Sequence, residues 1–68
     1  MPQYCVNRNP QLNGDHEVHA DGCIYWPHPQ NVQPLGFHFS CAPAVQAARA
    51  YFYQVNGCRT CSPPCHTQ

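Results

Sequence analysis

The sequence predicts an α+β fold: a small zinc-stabilised domain with a three-stranded antiparallel sheet and one helix. Three observations point there. Six cysteines fall within 68 residues, two of them in the run Asn56-Gly57-Cys58-Arg59-Thr60-Cys61-Ser62-Pro63. The first forty residues hold short alternating segments separated by turn formers, and one alanine-rich run after Ser40 has helical composition. A chain of this length makes a single domain, residues 1–68, whose core is too small to offset chain entropy without a staple.

The first element is a strand over Gln3 to Asn7, with Tyr4 and Val6 on one face and Cys5 on the other. The segment Asn9-Pro10-Gln11-Leu12-Asn13-Gly14-Asp15 is dense in turn formers. The chain should reverse there and return as a second strand through His16 to His19, closing a hairpin. Asp21-Gly22 marks a further tight turn into Cys23-Ile24-Tyr25-Trp26, and Pro27, Pro29 and Pro34 keep the next loop from forming regular helix. Leu35-Gly36-Phe37-His38-Phe39 reads as the third strand, with Leu35, Phe37 and Phe39 sharing a face. Ser40 suits a helix N-cap and Pro43 a first turn, so the helix runs through Ala44 to Phe52, with Val45, Ala48, Phe52 and Val55 as its apolar stripe. Asn56-Gly57 offers a left-handed residue to end it, and Pro63-Pro64 prevents further helix.

Charge excludes some functions. Arg8, Arg49 and Arg59 balance Asp15, Glu17 and Asp21, and there is no lysine, so the basic footprint of a nucleic-acid binder is missing. No stretch is long and apolar enough to span a membrane. The opening Met1-Pro2-Gln3-Tyr4-Cys5 has neither the basic start nor the apolar run of a secretory signal. Taken as the whole gene product, the chain is expected in a reducing cytoplasm, where paired cysteines more often hold metal than each other. A mature secreted peptide stapled by disulfides is the outside alternative.

The Cys58-x2-Cys61 pair suits zinc because two thiolates two residues apart can point at one ion from a tight turn, whose amides hydrogen-bond to the sulfurs. His19 and Cys23 straddle the Asp21-Gly22 turn and form a second half-site. The expected set is therefore His19, Cys23, Cys58 and Cys61 around one Zn2+, a closed tetrahedron of one imidazole and three thiolates. A local alternative uses Cys58, Cys61, Cys65 and His66, although adjacent residues rarely both reach one ion. Cys5 on its strand and Cys41 in the first helical turn are expected as buried thiols. His16-Glu17-Val18-His19 only superficially matches the metalloprotease signature: its histidines are separated by two residues rather than three, and on a strand they face opposite ways.

His19-x3-Cys23, then Phe39-Ser40 with its alanine-rich helix, then Asn56-Gly57-Cys58-Arg59-Thr60-Cys61-Ser62-Pro63, resembles the zinc-binding domain at the N-terminus of the bacterial Ada alkylation-repair protein and related small modules. The resemblance covers roughly residues 17 to 63. It implies a short sheet and a helix clasping one zinc, with ligand roles carried over to His19, Cys23, Cys58 and Cys61. The whole chain also looks like a set of short uncharacterised bacterial proteins. Repair activity does not carry over, because His19 stands where the Ada domain has its methyl-accepting cysteine.

The expected function is a structural zinc module without catalysis of its own. Its partner is expected to be another protein, since Tyr25, Trp26, Tyr51, Phe52 and Tyr53 carry more aromatic area than one small core readily buries. Self-association is a related expectation for so weakly charged a surface. Two other classes compete: a zinc-thiolate sensor or alkyl acceptor reacting through Cys23, Cys58 or Cys61, and an Ada-like nucleic-acid-binding module.

Overall fold

The computed structural model describes residues 1–67. Strand β1 (Gln3–Asn7) turns back into β2 (His16–Ala20), as the hairpin pattern predicts, with Tyr4 opposite Ala20, Cys5 opposite His19 and Val6 opposite Val18. The connecting loop is shaped by its own polar side chains. The Asn13 side-chain oxygen accepts from the Asp15 amide at 2.9 Å, and Gly14 takes the left-handed φ of 92° that the turn requires.

The sheet has four strands rather than three, and it is mixed rather than purely antiparallel. Its order is β3-β1-β2-β4, with β3 (Val32–Phe37) antiparallel to β1 and β4 (Val55–Gly57) parallel to β2. The third strand begins and ends earlier than the alternation of Leu35, Phe37 and Phe39 suggests. The β1–β3 register shifts between Tyr4 and Cys5, which face Gly36 and Pro34 and leave Leu35 as the extra residue of a bulge. Gly36, at φ 83°, accommodates that irregularity. The phase change leaves Leu35 against the core while Phe37 and Phe39 are exposed.

Helix α1 (Cys41–Ala48) starts after Ser40, which occupies the N-cap position without a capping side-chain bond. It stops four residues before the expected end at Phe52. The last amides, from Arg49, Ala50 and Tyr51, donate to carbonyls three residues back, tightening the final turn. That early stop frees Phe52 to stack on the His16 ring at 3.8 Å between centroids. It also moves Val55 and Asn56-Gly57 out of the helix and into β4. Gly57 is therefore no left-handed cap. Its small size is needed because a Cβ there would stand 2.5 Å from Cys65 Cβ.

The alternation of β1 and β2 divides the interior. Tyr4, Val6 and Val18 point to the helix side and pack with Cys41, Ala44, Val45 and Ala48. Cys5 and His19, paired across the hairpin, point to the other side and are equally buried. The helix covers the first face. The second is where the cysteine-bearing loops converge.

Candidate metal centre

His19 reaches the site from β2, whose next turn delivers Cys23: the Cys23 amide donates to Ala20 O at 3.1 Å across the Asp21-Gly22 bend, with Gly22 at φ 92°. Cys58 follows β4 directly, its amide donating to Val18 O at 2.9 Å, so the parallel pairing of β4 with β2 brings the two half-sites together. The Ser62 amide donates to Cys58 O at 2.8 Å, closing the turn that carries Cys61.

The ligand-type atoms of His19, Cys23, Cys58 and Cys61 all lie within 4.8 Å of one another. Cys23 Sγ is 3.9 Å from Cys58 Sγ, and Cys61 Sγ is 4.0 Å from His19 Nδ1. Metal–sulfur bonds of about 2.3 Å and metal–nitrogen bonds of about 2.0–2.1 Å at tetrahedral angles place ligand atoms roughly 3.6–3.8 Å apart. The cluster is thus slightly larger than a closed coordination shell, and these four side chains could hold a metal ion.

Further features favour that chemistry. The Ala20 amide donates to Cys61 Sγ at 3.2 Å and the Tyr25 amide to Cys23 Sγ at 3.4 Å, the kind of contact that stabilises a thiolate. Burial holds the His19 imidazole below its ordinary pKa, so its ring is neutral and able to ligate near pH 7. Burial, reinforced by the neighbouring Cys61 and Cys58, pushes the Cys23 thiol up to about 11. Burial alone thus disfavours ionisation of the Cys23 thiol, and a bound cation would reverse that preference. His19 turns Nδ1 towards Cys61 and Nε2 towards Glu17, whose Oε1 is 3.7 Å away. Glu17 is a neighbour that the sequence reading overlooked. Its position two residues before His19 on one strand, hence on the same face, was the available signal.

The remaining cysteines are placed differently from the cluster. Cys5 is a fully buried free thiol, pushed up to about 12 first by burial and then by the Cys61 beside it. Cys41 is not a free buried thiol: it forms a disulfide with Cys65. That bond removes Cys65 from the local alternative site, and His66 instead sets Nδ1 3.0 Å from Gly57 O. His16 lies on the helix side with Phe52, away from His19, as strand geometry requires.

Fold and site together define a small α+β domain with a cluster of one histidine and three cysteines able to bind a metal. No protein-family model, curated protein or solved structure matches the chain. No helix among the described residues is long and apolar enough to cross a membrane.

Proposed function

We propose that this protein is a structural zinc-binding module that mediates protein interaction and has no catalytic activity of its own. The observation that carries the reading is the convergence of His19, Cys23, Cys58 and Cys61 from two distant chain segments into one compact set. Three thiolates and an imidazole are soft and borderline donors suited to Zn2+, and four protein ligands leave no open position for substrate. The set also occupies the face of β1 and β2 that the helix leaves uncovered, where a larger protein would place a second apolar layer. Zinc there supplies folding energy, apparent values for structural sites being on the order of 10 kcal/mol.

The interaction role is supported by the surface. Tyr25, Tyr51 and Tyr53 are at least half exposed, as are Ile24, Phe37 and Phe39. The Ada-like kinship is proposed on the spacing of the four ligands and the single helix between the half-sites. A cytoplasmic setting suits the free thiols of Cys5, Cys23, Cys58 and Cys61, and there the Cys41–Cys65 disulfide would be a transient, redox-responsive bond.

Metal analysis and native mass on one sample test the module. One zinc per chain, four free thiols and loss of structure on chelation are expected. A folded chain that takes up no zinc would overturn the reading.

A second reading, a zinc-thiolate acceptor of alkyl groups or oxidants, is favoured by one observation: Cys23 and Cys61 are only half-buried. Rapid alkylation of one of them with the metal retained would select it over the structural role.

A further inference from the structure

The metal reading leaves the Cys41–Cys65 disulfide unused, and its place in the chain is informative. Cys41 and Cys65 bracket Cys58 and Cys61, whereas His19 and Cys23 lie outside the covalent loop. The bond ties the 3-10 turn Pro63–Cys65 to the first turn of α1. From Cys65 an unbroken series of backbone hydrogen bonds leads into the centre: Cys65 N to Ser62 O at 2.9 Å, Ser62 N to Cys58 O at 2.8 Å, and Cys58 N to Val18 O at 2.9 Å. Cys65 also presses on Gly57, the residue before Cys58. The second half-site is thus held on one side by β4 and on the other by this bond.

Both half-cystines line a cavity of about 310 Å³, together with Tyr4, Ser62 and the ligand Cys61. Cys65 is half-buried and Cys41 buried, so a thiol entering the cavity meets Cys65 first.

We propose that the Cys41–Cys65 disulfide is a thiol-sensitive latch on the metal centre: a small dithiol reduces it through this cavity, and the opened loop holds metal more weakly. The proposal rests on His19, Cys23, Cys58 and Cys61 being the metal ligands. In the chemical step one thiolate of the dithiol attacks Cys65 Sγ, the Cys41–Cys65 bond breaks, and Cys41 leaves as a thiolate that takes a proton. The second thiol of the reagent then displaces Cys65 as a thiol. The reagent becomes a cyclic disulfide and loses the two electrons that the protein gains. Once open, the tail keeps only non-covalent ties such as His66 Nδ1 to Gly57 O and the Thr67 amide to Asn56 Oδ1. Cys58 and Cys61 are then held through β4 alone, and more of their ordering falls to the metal. Binding linkage is reciprocal, so bound metal protects the disulfide by the same factor that the disulfide strengthens metal binding.

The test measures zinc affinity by competition with a chelating dye for the full chain in three forms: disulfide intact, reduced with dithiothreitol and desalted anaerobically, and Cys41→Ala/Cys65→Ala. About tenfold or greater weakening is expected in the second and third forms relative to the first. In parallel, the ratio of the squared glutathione concentration to the glutathione disulfide concentration that half-reduces Cys41–Cys65, read by alkylation and peptide mass, should shift by the same factor between zinc-loaded and zinc-free protein. Equal zinc affinity in all forms would overturn the latch while leaving the metal centre standing. Should the double variant fail to fold, the glutathione measurement decides, and an unchanged midpoint overturns the latch. Failure of every form to bind zinc would instead remove the metal reading, and the latch with it.

Discussion

Glu17 Oε1 stands 3.7 Å from His19 Nε2, on the ring edge opposite the one that faces Cys61. With Nδ1 turned to the cluster, Nε2 is left towards a carboxylate beyond hydrogen-bond reach, whose charge would favour the Nε2–H form if Nδ1 held a metal. Glu17 pairs with Asn56 of β4 while His19 faces Cys5 of β1, so the sheet itself holds the two side chains on one face.

Glu17→Gln should therefore weaken zinc binding about tenfold, the lower end for loss of such a neighbour, since the separation exceeds a hydrogen bond. Chelator competition would measure it. The cobalt-substituted protein should show a shifted visible spectrum while circular dichroism of the zinc form stays unchanged. An affinity equal to that of the original chain would reduce Glu17 to a bystander.

The cysteines sort into roles that substitution should separate. Cys58→Ser removes a buried member of the cluster just after β4 and, if the cluster holds zinc, should abolish stoichiometric zinc binding, with loss of dispersed amide resonances. Cys5→Ala deletes one buried sulfur on the same face without touching the ligand set, and should cost about 1 kcal/mol while retaining zinc. In the native chain, Cys5 should also be the last thiol alkylated as denaturant is raised, because burial both hides it and pushes it up to about 12. A folded, zinc-loaded Cys58→Ser protein would contradict the assignment.

The difference between what could and could not be read from the sequence follows the range of the interactions. The hairpin was legible because Asn13, Gly14 and the alternation through Val6 and Val18 act locally. So was the clustering of His19, Cys23, Cys58 and Cys61, since turn geometry dictates the spacing of Cys58 with Cys61 and of His19 with Cys23. Strand β4 was hidden because three residues carry no usable period, and its parallel pairing with β2 is a long-range event. The early end of α1 was hidden because Phe52 gains a stacking partner, His16, that lies far away in sequence. The Cys41–Cys65 bond could not be inferred from spacing, because connectivity depends on where the helix start lies relative to the tail.

Asp15 anchors the end of the hairpin loop to the segment leading into β4. Its carboxylate accepts from Gln54 Nε2 at 2.6 Å, Asn56 Nδ2 at 3.1 Å and Asn13 Nδ2 at 3.2 Å. These bonds, that from Gln54 foremost, hold the carboxyl below its ordinary pKa against the opposing effect of burial. The ionised form is thus favoured in the folded chain. Its contribution is fully present above the unfolded value of about 3.9 and is lost as pH falls through the lower folded value. Asp15→Asn replaces an acceptor with a donor facing donors and should cost about 1–3 kcal/mol at neutral pH. Urea titrations of both chains should show that deficit shrinking below about pH 4. A deficit independent of pH would place the loss in packing rather than in the carboxylate.

Gly57 is the point where strand pairing, the disulfide and the candidate metal centre meet. It pairs with Val18, precedes Cys58, and leaves no room for a side chain: an added Cβ would lie 2.5 Å from Cys65 Cβ, 2.9 Å from its carbonyl carbon and 3.0 Å from its carbonyl oxygen. Two of those three atoms are backbone, and the disulfide prevents Cys65 from backing away. Gly57→Ala should therefore destabilise the oxidised protein by about 1–3 kcal/mol, the usual range for overpacking. In Cys41→Ala/Cys65→Ala the tail is free to retreat, so the same substitution should cost measurably less. A thermal-denaturation cycle over the four proteins, each saturated with zinc, reads that coupling directly. Equal costs in both backgrounds would mean that contacts other than the disulfide hold the tail against β4.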